Sequence, residues 1–350
     1  MREDVFLQRK EFFVLDALRC LRHDNSQNQC SKCINICDVN ALSIFKKKIT
    51  LNTELCTNCG ECIGSCPTES LSLESFDMSG FVLDFVQKDK TSVVDGVDVP
   101  TFGMFDAYHI VSIMLRKKSD IDLVITSHTK ANMTKYINDK IDTANEFLEQ
   151  LNLPYRAKSV FKETTTDTKK RGLLKNIFTI TKEIKTDDNA SKQLKKVEKY
   201  VPPKLTLLKN SLKLISEELN VENIKTVKGL IANKEIDFQA CTNCGECAHF
   251  CPTEALFRSS ENDGIFFQSG KCIGCGVCKM VCEPNAITSP ASVDLTRFMF
   301  DQADLLVHYE YHTCNECKTA FAYKGKGDIC DRCLTYKDDF ADMFVMAKDL

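Results

Sequence analysis

Cys241-Thr-Asn-Cys244-Gly-Glu-Cys247-Ala-His-Phe-Cys251-Pro252 reads C-x2-C-x2-C-x3-C-P. A second run of the same spacing follows at Cys272, Cys275, Cys278 and Cys282, and a third lies far upstream at Cys56, Cys59, Cys62 and Cys66. A fourth run, Cys20, Cys30, Cys33 and Cys37, is irregular. Two C-x2-C pairs, Cys314 with Cys317 and Cys330 with Cys333, complete the 20 cysteines. Thiolates at such spacings are soft metal donors. A tetrahedral zinc uses two C-x2-C pairs and has no use for a third Cys at x2 and a fourth at x3. The three regular runs therefore point to iron–sulfur clusters.

A chain of 350 residues with 43% apolar side chains has room for two or three domains, and its aromatic packing falls to 22 Phe and 8 Tyr, since Trp is absent. The start, Met1-Arg2-Glu3-Asp4-Val5-Phe6, lacks a basic stretch leading into an apolar one. No run of 18 apolar residues occurs. The expectation is a reducing cytoplasm, no disulfide framework and thiolates free to bind metal. The formal net charge of −3 counts Cys as neutral. Thiolates wrapped around metal cores bring the loaded chain nearer about −13, which argues against a general nucleic-acid binder.

Each run carries an echo. Four and five residues beyond its last Cys come Ala41-Leu42, Ser70-Leu71, Ala255-Leu256 and Ala286-Ile287. The repeat predicts a short helical turn after each run, a small side chain where the backbone nears the cluster and an aliphatic one packed over it. Strand-like stretches at Leu42–Thr50 and Gly264–Gln268 then lead onward.

Cys56 to Pro67 (CTNCGECIGSCP) and Cys241 to Pro252 (CTNCGECAHFCP), with Cys272 to Cys282 (CIGCGVCKMVC), resemble the 2[4Fe–4S] dicluster ferredoxin, or polyferredoxin, family over about a third of the chain. The resemblance implies that the fourth Cys of each run ligates the other cluster of its pair. Cys241, Cys244, Cys247 and Cys282 would hold one cluster, and Cys272, Cys275, Cys278 and Cys251 another. Upstream, Cys56, Cys59, Cys62 and Cys37 would hold a third. The fourth would take Cys20, Cys30, Cys33 and Cys66, with Cys20 displaced by a loop insertion of small entropic cost. The alternative is that this cluster is lost and Cys20 is a core thiol ending a helix Glu11 to Arg19.

The fold class expected is α+β: two ferredoxin-like dicluster modules, a small α/β domain between them and a C-terminal zinc ribbon. The modules span 1–78 and 236–295. The small α/β domain, 79–162, reads as a strand at 81–86, a helix at 105–117, a strand Ile121 to Thr126, a helix at 132–151 and a short strand Lys158 to Phe161. It is similar to the α/β domain found with ferredoxins in hydrogenase and heterodisulfide-reductase delta-type subunits, which bind a cluster through Cys, whereas this segment has none. Residues 163–235, rich in Lys and Arg, read as a basic helical linker. Leu173 to Ile180 and Leu205 to Leu219 are its amphipathic stretches, and a docking arm for an acidic partner is the sharper reading.

In the final segment, 296–350, Cys314, Cys317, Cys330 and Cys333 suit one Zn2+ in a zinc ribbon with a hairpin at Tyr323 to Asp328. A rubredoxin-type iron site is the alternative, although the gap is short for it and the knuckles lack Gly and Pro. His249 and His312 could hydrogen-bond a ligand sulfur. His128, at a strand end, stands where α/β sites often sit. No G-x-G-x-x-G, P-loop or H-E-x-x-H occurs.

The leading expectation is an electron-transfer protein carrying up to four [4Fe–4S] clusters, a subunit or carrier more than a stand-alone catalyst. It would serve a redox partner of the formate dehydrogenase or hydrogenase type, with no nucleic acid and no membrane span. The competing reading is an assembly, maturation or redox-sensing accessory factor for such an enzyme. Nucleic-acid binding through the zinc ribbon is a third.

Overall fold

The computed structural model describes residues 13–24, 28–74, 76–127, 129–163 and 199–340. The two cysteine-rich modules share one plan. In each, the first and last strands pair antiparallel: Phe13–Leu15 with Leu71–Leu73, and Glu235–Ile236 with Ile287–Thr288. Between them lies an inner hairpin: Leu42–Phe45 with Lys48–Leu51, and Leu256–Arg258 with Gly264–Phe267. The second module adds Asp304–His308 to its hairpin, making three strands. The stretch Leu42 to Thr50, expected to be one strand, turns back on itself at Lys46 and Lys47, both at positive φ.

Between the modules, strands Ser92–Val94, Ile121–Thr126 and Ala157–Lys162 form a parallel sheet in sequence order. Helices Ala107–Lys117 and Ala131–Gln150 supply the crossovers. The first is fixed at its start by a capping box, in which Asp106 and His109 each satisfy the other's backbone N–H.

Two expected elements are corrected. Residues 81–86 are not a strand but lie mainly in the helix Met78–Phe85, started by Asp77 accepting from Ser79 N. The apolar run is short enough to suit either state, and the N-cap decides it. The expected helix Glu11 to Arg19 is, over its described part, the strand Phe13–Leu15 followed by a turn. Its pairing with Leu71–Leu73 overrides local preference.

Beside a separate core that holds most cysteines of the second module and a small one around Cys20, the largest core joins these parts. It runs from Ile63, Cys66 and Leu71, through the inner faces of the two crossover helices, to Leu230, Ile231, Ile273, Val293 and Phe298. The helix Pro203–Lys213 is part of it, with Leu205, Leu207, Leu208 and Leu212 buried against the helix Ala107–Lys117. Thus the basic segment, where described, buries an apolar face instead of bridging solvent. Leu173 to Ile180 lies outside the described residues, as does His128.

The first module is also joined backbone to backbone. The turn Phe102–Met104 lies so close to the Cys59–Glu61 loop that a Cβ on Gly103 would meet Cys59 O at 2.0 Å and Glu61 N at 2.6 Å. Only glycine fits there. Thr101 Oγ1 donates to Cys59 O at 2.8 Å beside it. Among the described residues no helix is long and apolar enough to cross a membrane.

Candidate metal centres

The backbone of the cysteine runs follows a fixed pattern. The glycine after the second Cys, at 60, 245 and 276, has φ between +75° and +80° and opens a four-residue helix carrying the third Cys. The residue before each echo, Asn40, Glu69, Glu254 and Asn285, sits at φ between +50° and +55°. A left-handed residue, not the expected helical turn, thus follows each run. Asn tolerates this conformation and Glu pays strain for it. The left-handed residue turns the next N–H groups onto sulfur. Ala41 N lies 3.2 Å from Cys37 Sγ, Ala286 N 3.3 Å from Cys282 Sγ and Leu256 N 3.5 Å from Cys251 Sγ. Ser70 departs from the pattern by placing its hydroxyl 3.2 Å from Cys66 Sγ.

The quartets come together as follows. One cavity is lined by Cys241, Cys244, Cys247 and Cys282, and another by Cys251, Cys272, Cys275 and Cys278. A third is lined by Cys20, Cys30, Cys33 and Cys66, so the loop from Cys20 to Cys30 returns both residues to the same void. Cys62 is crowded electrostatically by Cys59, Cys33, Cys56 and Cys37.

These thiols are poor anions by themselves. Burial first, then the neighbouring thiolates of its own set, pushes Cys33 up to about 12, and burial with the thiolates of both second-module sets does the same to Cys247. Burial raises Cys272 and Cys275 to about 12 as well. A quartet of desolvated thiols needs a polycationic core before it can ionise. Because the sulfurs of three sets ring a cavity instead of converging on a point, those donor sets fit an iron–sulfur cluster and not a lone ion.

The surrounding charge differs among the quartets. Burial opposes ionisation at Cys66, yet hydrogen bonds from Ser70 and Thr68 and the Lys204 ammonium bring it below its ordinary value. Lys204 is only 3% exposed, and its Nζ donates to Cys66 O and to Asp106 Oδ2, both at 2.7 Å. Lys140 Nζ reaches the other oxygen of Asp106 at 3.0 Å. Burial alone would raise the Asp106 carboxyl, but the two ammonium groups hold it well below the usual range. Burial also drives His109 down to about 3, so it stays neutral, with Nδ1 accepting from Asp106 N at 3.0 Å.

A short stretch of chain spans the modules. Arg19, next to Cys20, lies 3.9 Å over the Tyr200 ring and donates to its hydroxyl at 3.2 Å. Tyr200 N donates to Pro252 O, next to Cys251, at 3.1 Å, and Lys199 Nζ donates to Cys251 O at 2.8 Å. Tyr108 donates to Leu230 O at 2.7 Å, and its ring centre is 5.4 Å from Lys204 Nζ. Sequence reasoning missed Lys204, Tyr200 and Arg19. The one available signal was Ser70 standing where the other three echoes have Ala.

In the tail, the sulfurs of Cys314, Cys317, Cys330 and Cys333 all lie within 4.8 Å of one another, the one such group among the described residues. Cys317 and Cys330 Sγ are 3.8 Å apart. Burial works against the Cys314 thiolate, but N–H groups led by that of Cys330 bring it down to about 6. The hairpin pairs Tyr311–Thr313 with Ala320–Ala322 around the first knuckle, not at Tyr323 to Asp328 as expected. His312 stacks on Tyr323 at 3.8 Å, and no bond to sulfur is formed by it or by His249 among the described contacts.

Two protein-family profiles match the chain, both described as 4Fe-4S dicluster domain, one over residues 28–70 and one over 233–283. The chain thus carries two dicluster ferredoxin domains of the iron–sulfur electron-transfer kind, in a mixed helix and sheet fold. The first match begins after Cys20. An uncharacterized ferredoxin of Methanocaldococcus jannaschii is 28% identical over 110 residues, which cover 31% of this chain and 75% of that protein.

Proposed function

We propose, from the two 4Fe-4S dicluster domains, that the protein is an electron wire of four clusters in a single line. The order is Cys37/Cys56/Cys59/Cys62, then Cys20/Cys30/Cys33/Cys66, then Cys251/Cys272/Cys275/Cys278, then Cys241/Cys244/Cys247/Cys282. The observation that carries this order is the bridge from Arg19 through Tyr200 to Pro252, which ties the residues beside Cys20 and Cys251 to one side chain and its backbone. It favours a wire over an assembly factor, which has no need for the two inner quartets to face each other. The ligands bind the clusters, and the amide and hydroxyl groups set their potentials.

Cys244 is exposed, and the groove beside it is lined by Glu246, His249, Glu254 and Arg258. A redox-protein partner would exchange electrons there. The tail holds one four-coordinate ion, which we assign as structural zinc. A tetrahedron with bonds of about 2.3 Å has an edge of about 3.8 Å, the separation seen between Cys317 and Cys330. The test is anaerobic reconstitution with iron and sulfide analysis and viologen-mediated reduction. About sixteen irons per chain in clusters, rapidly and reversibly reduced, is expected. About eight irons, or clusters that exchange no electrons, would overturn the wire.

A further inference from the structure

The four quartets differ in the charge built around them, and the difference follows their order in the line. The cavity of the Cys251 set is lined by Lys234, which is 6% exposed and donates to Ser289 Oγ at 2.8 Å. No salt bridge joins Lys234 to a carboxylate among the described residues. At the Cys66 set the buried Lys204 ammonium is held on the ligand's own carbonyl. Two carboxyl groups stand behind it: Asp106, shared between Lys204 and Lys140, and Glu69, whose Oε2 accepts from Lys204 N at 3.0 Å and whose carboxyl burial pushes toward the neutral form. Ser70 and Thr68 add hydroxyls at 3.2 and 3.6 Å from Cys66 Sγ.

The outer sets face carboxyl groups with no buried lysine lining them among the described residues. Asn132 Nδ2 gathers Asp38 Oδ2 and Glu61 Oε1 at 2.9 and 3.0 Å, and these residues flank Cys37 and Cys62 in the chain. In the Cys241 set, Glu246 is the charged residue lining the cavity. Adding an electron makes a cluster more negative. A buried cation therefore favours reduction and a nearby carboxylate opposes it, while hydrogen bonds to sulfur act in the same sense as the cation. The charge beside each set distinguishes the inner sets from the outer ones.

We propose that the two inner clusters are held at higher reduction potential than the two outer ones, so that a partly reduced chain stores two electrons at its centre. This rests on the four-cluster reading above. The protein would then act as a two-electron reservoir between partners that exchange single electrons at its ends. Each electron taken up comes from a low-potential donor protein and leaves to an acceptor of higher potential. Lys204 and Lys234 are positioning residues here, acting on the clusters through space and through the ligand backbone.

The test is an EPR-monitored reductive titration of the reconstituted full chain with dithionite and viologen mediators. The first two electrons are expected on the clusters whose signals are lost in Cys20→Ala and Cys275→Ala. Lys234→Met, which strands no carboxylate, should lower the reduction equilibrium of the Cys251-set cluster about tenfold, or about 59 mV for one electron. Lys234→Arg should restore it. Ser70→Ala and the paired Lys204→Met/Asp106→Asn should lower the Cys66-set cluster severalfold and leave the outer two in place. Outer clusters reduced first, or variants that move all four potentials alike or none, would overturn the proposal. Failure of the wire itself reads differently, as missing iron or absent reduction in the unsubstituted protein.

Discussion

The backbone N–H of Tyr200 donates to the carbonyl of Pro252 at 3.1 Å, and the same residue's ring carries Arg19 at 3.9 Å. Residues adjoining Cys20 and Cys251 are therefore held by one residue, although more than two hundred positions separate them in the chain. With the core that reaches from Cys66 and Leu71 to Ile273 and Phe298, this contact holds the two cysteine-rich modules together.

Cys20 lines one cavity with Cys30, Cys33 and Cys66, and the four-cluster proposal makes it the displaced ligand of the first module. Cys20→Ala should lower cluster iron from about sixteen to about twelve per chain, read by iron and acid-labile sulfide analysis. Full iron in that variant would return Cys20 to the status of a core thiol and leave Cys30, Cys33 and Cys66 one donor short.

Gly103 lets the Phe102–Met104 turn lie against the Cys59–Glu61 loop. Because a methyl group there meets fixed backbone atoms, Gly103→Ala should cost about 1–3 kcal/mol of stability. It should also preferentially deplete iron from the Cys37, Cys56, Cys59 and Cys62 set. Denaturant unfolding with EPR of the remaining clusters checks both effects. An unchanged midpoint would show that the turn can move away freely.

His109 gives a pH dependence of definite sign. Its folded pKa, about 3, lies below the ordinary value of about 6.5, so the unfolded chain binds its proton first as pH falls. Its stabilisation is complete above about pH 6.5 and is lost on acidification toward 3, at up to about 1.4 kcal/mol per pH unit. Between pH 7 and 5.5, His109→Gln should flatten the stability slope relative to the unsubstituted protein. Identical slopes would mean that this imidazole can be protonated in the folded state.

The tail site should be separable from the clusters. Cys330→Ser should release about one zinc per chain while the cluster absorbance persists. Iron in place of zinc at that site, or cluster loss in the same variant, would contradict the assignment.

Much of this was legible in the sequence, and for identifiable reasons. Cysteine spacing is imposed by local backbone geometry, so the four runs and the echoes Ala41, Ser70, Ala255 and Ala286 could be read directly, whereas the exchange of the fourth Cys between runs came from the resemblance to dicluster ferredoxins. The parallel order of Ile121–Thr126 and Ala157–Lys162 follows from helix-length crossovers between apolar runs. The helix Met78–Phe85 could not be read, because a short apolar run fits either state until Asp77 caps it. Nor could Lys204, which looked like one more cation in a basic stretch. Its burial depends on Asp106, 98 positions away, and on the apolar face that Leu205 and Leu208 turn to the core.

The most direct test of the single line of clusters is the low-temperature EPR spectrum of the fully reduced, reconstituted chain. The account predicts spin–spin broadening between modules, which disappears from the second module's signals in Cys20→Ala, where the facing cluster is missing. A spectrum equal to the sum of two uncoupled dicluster modules, unchanged in the second module by Cys20→Ala, would contradict it.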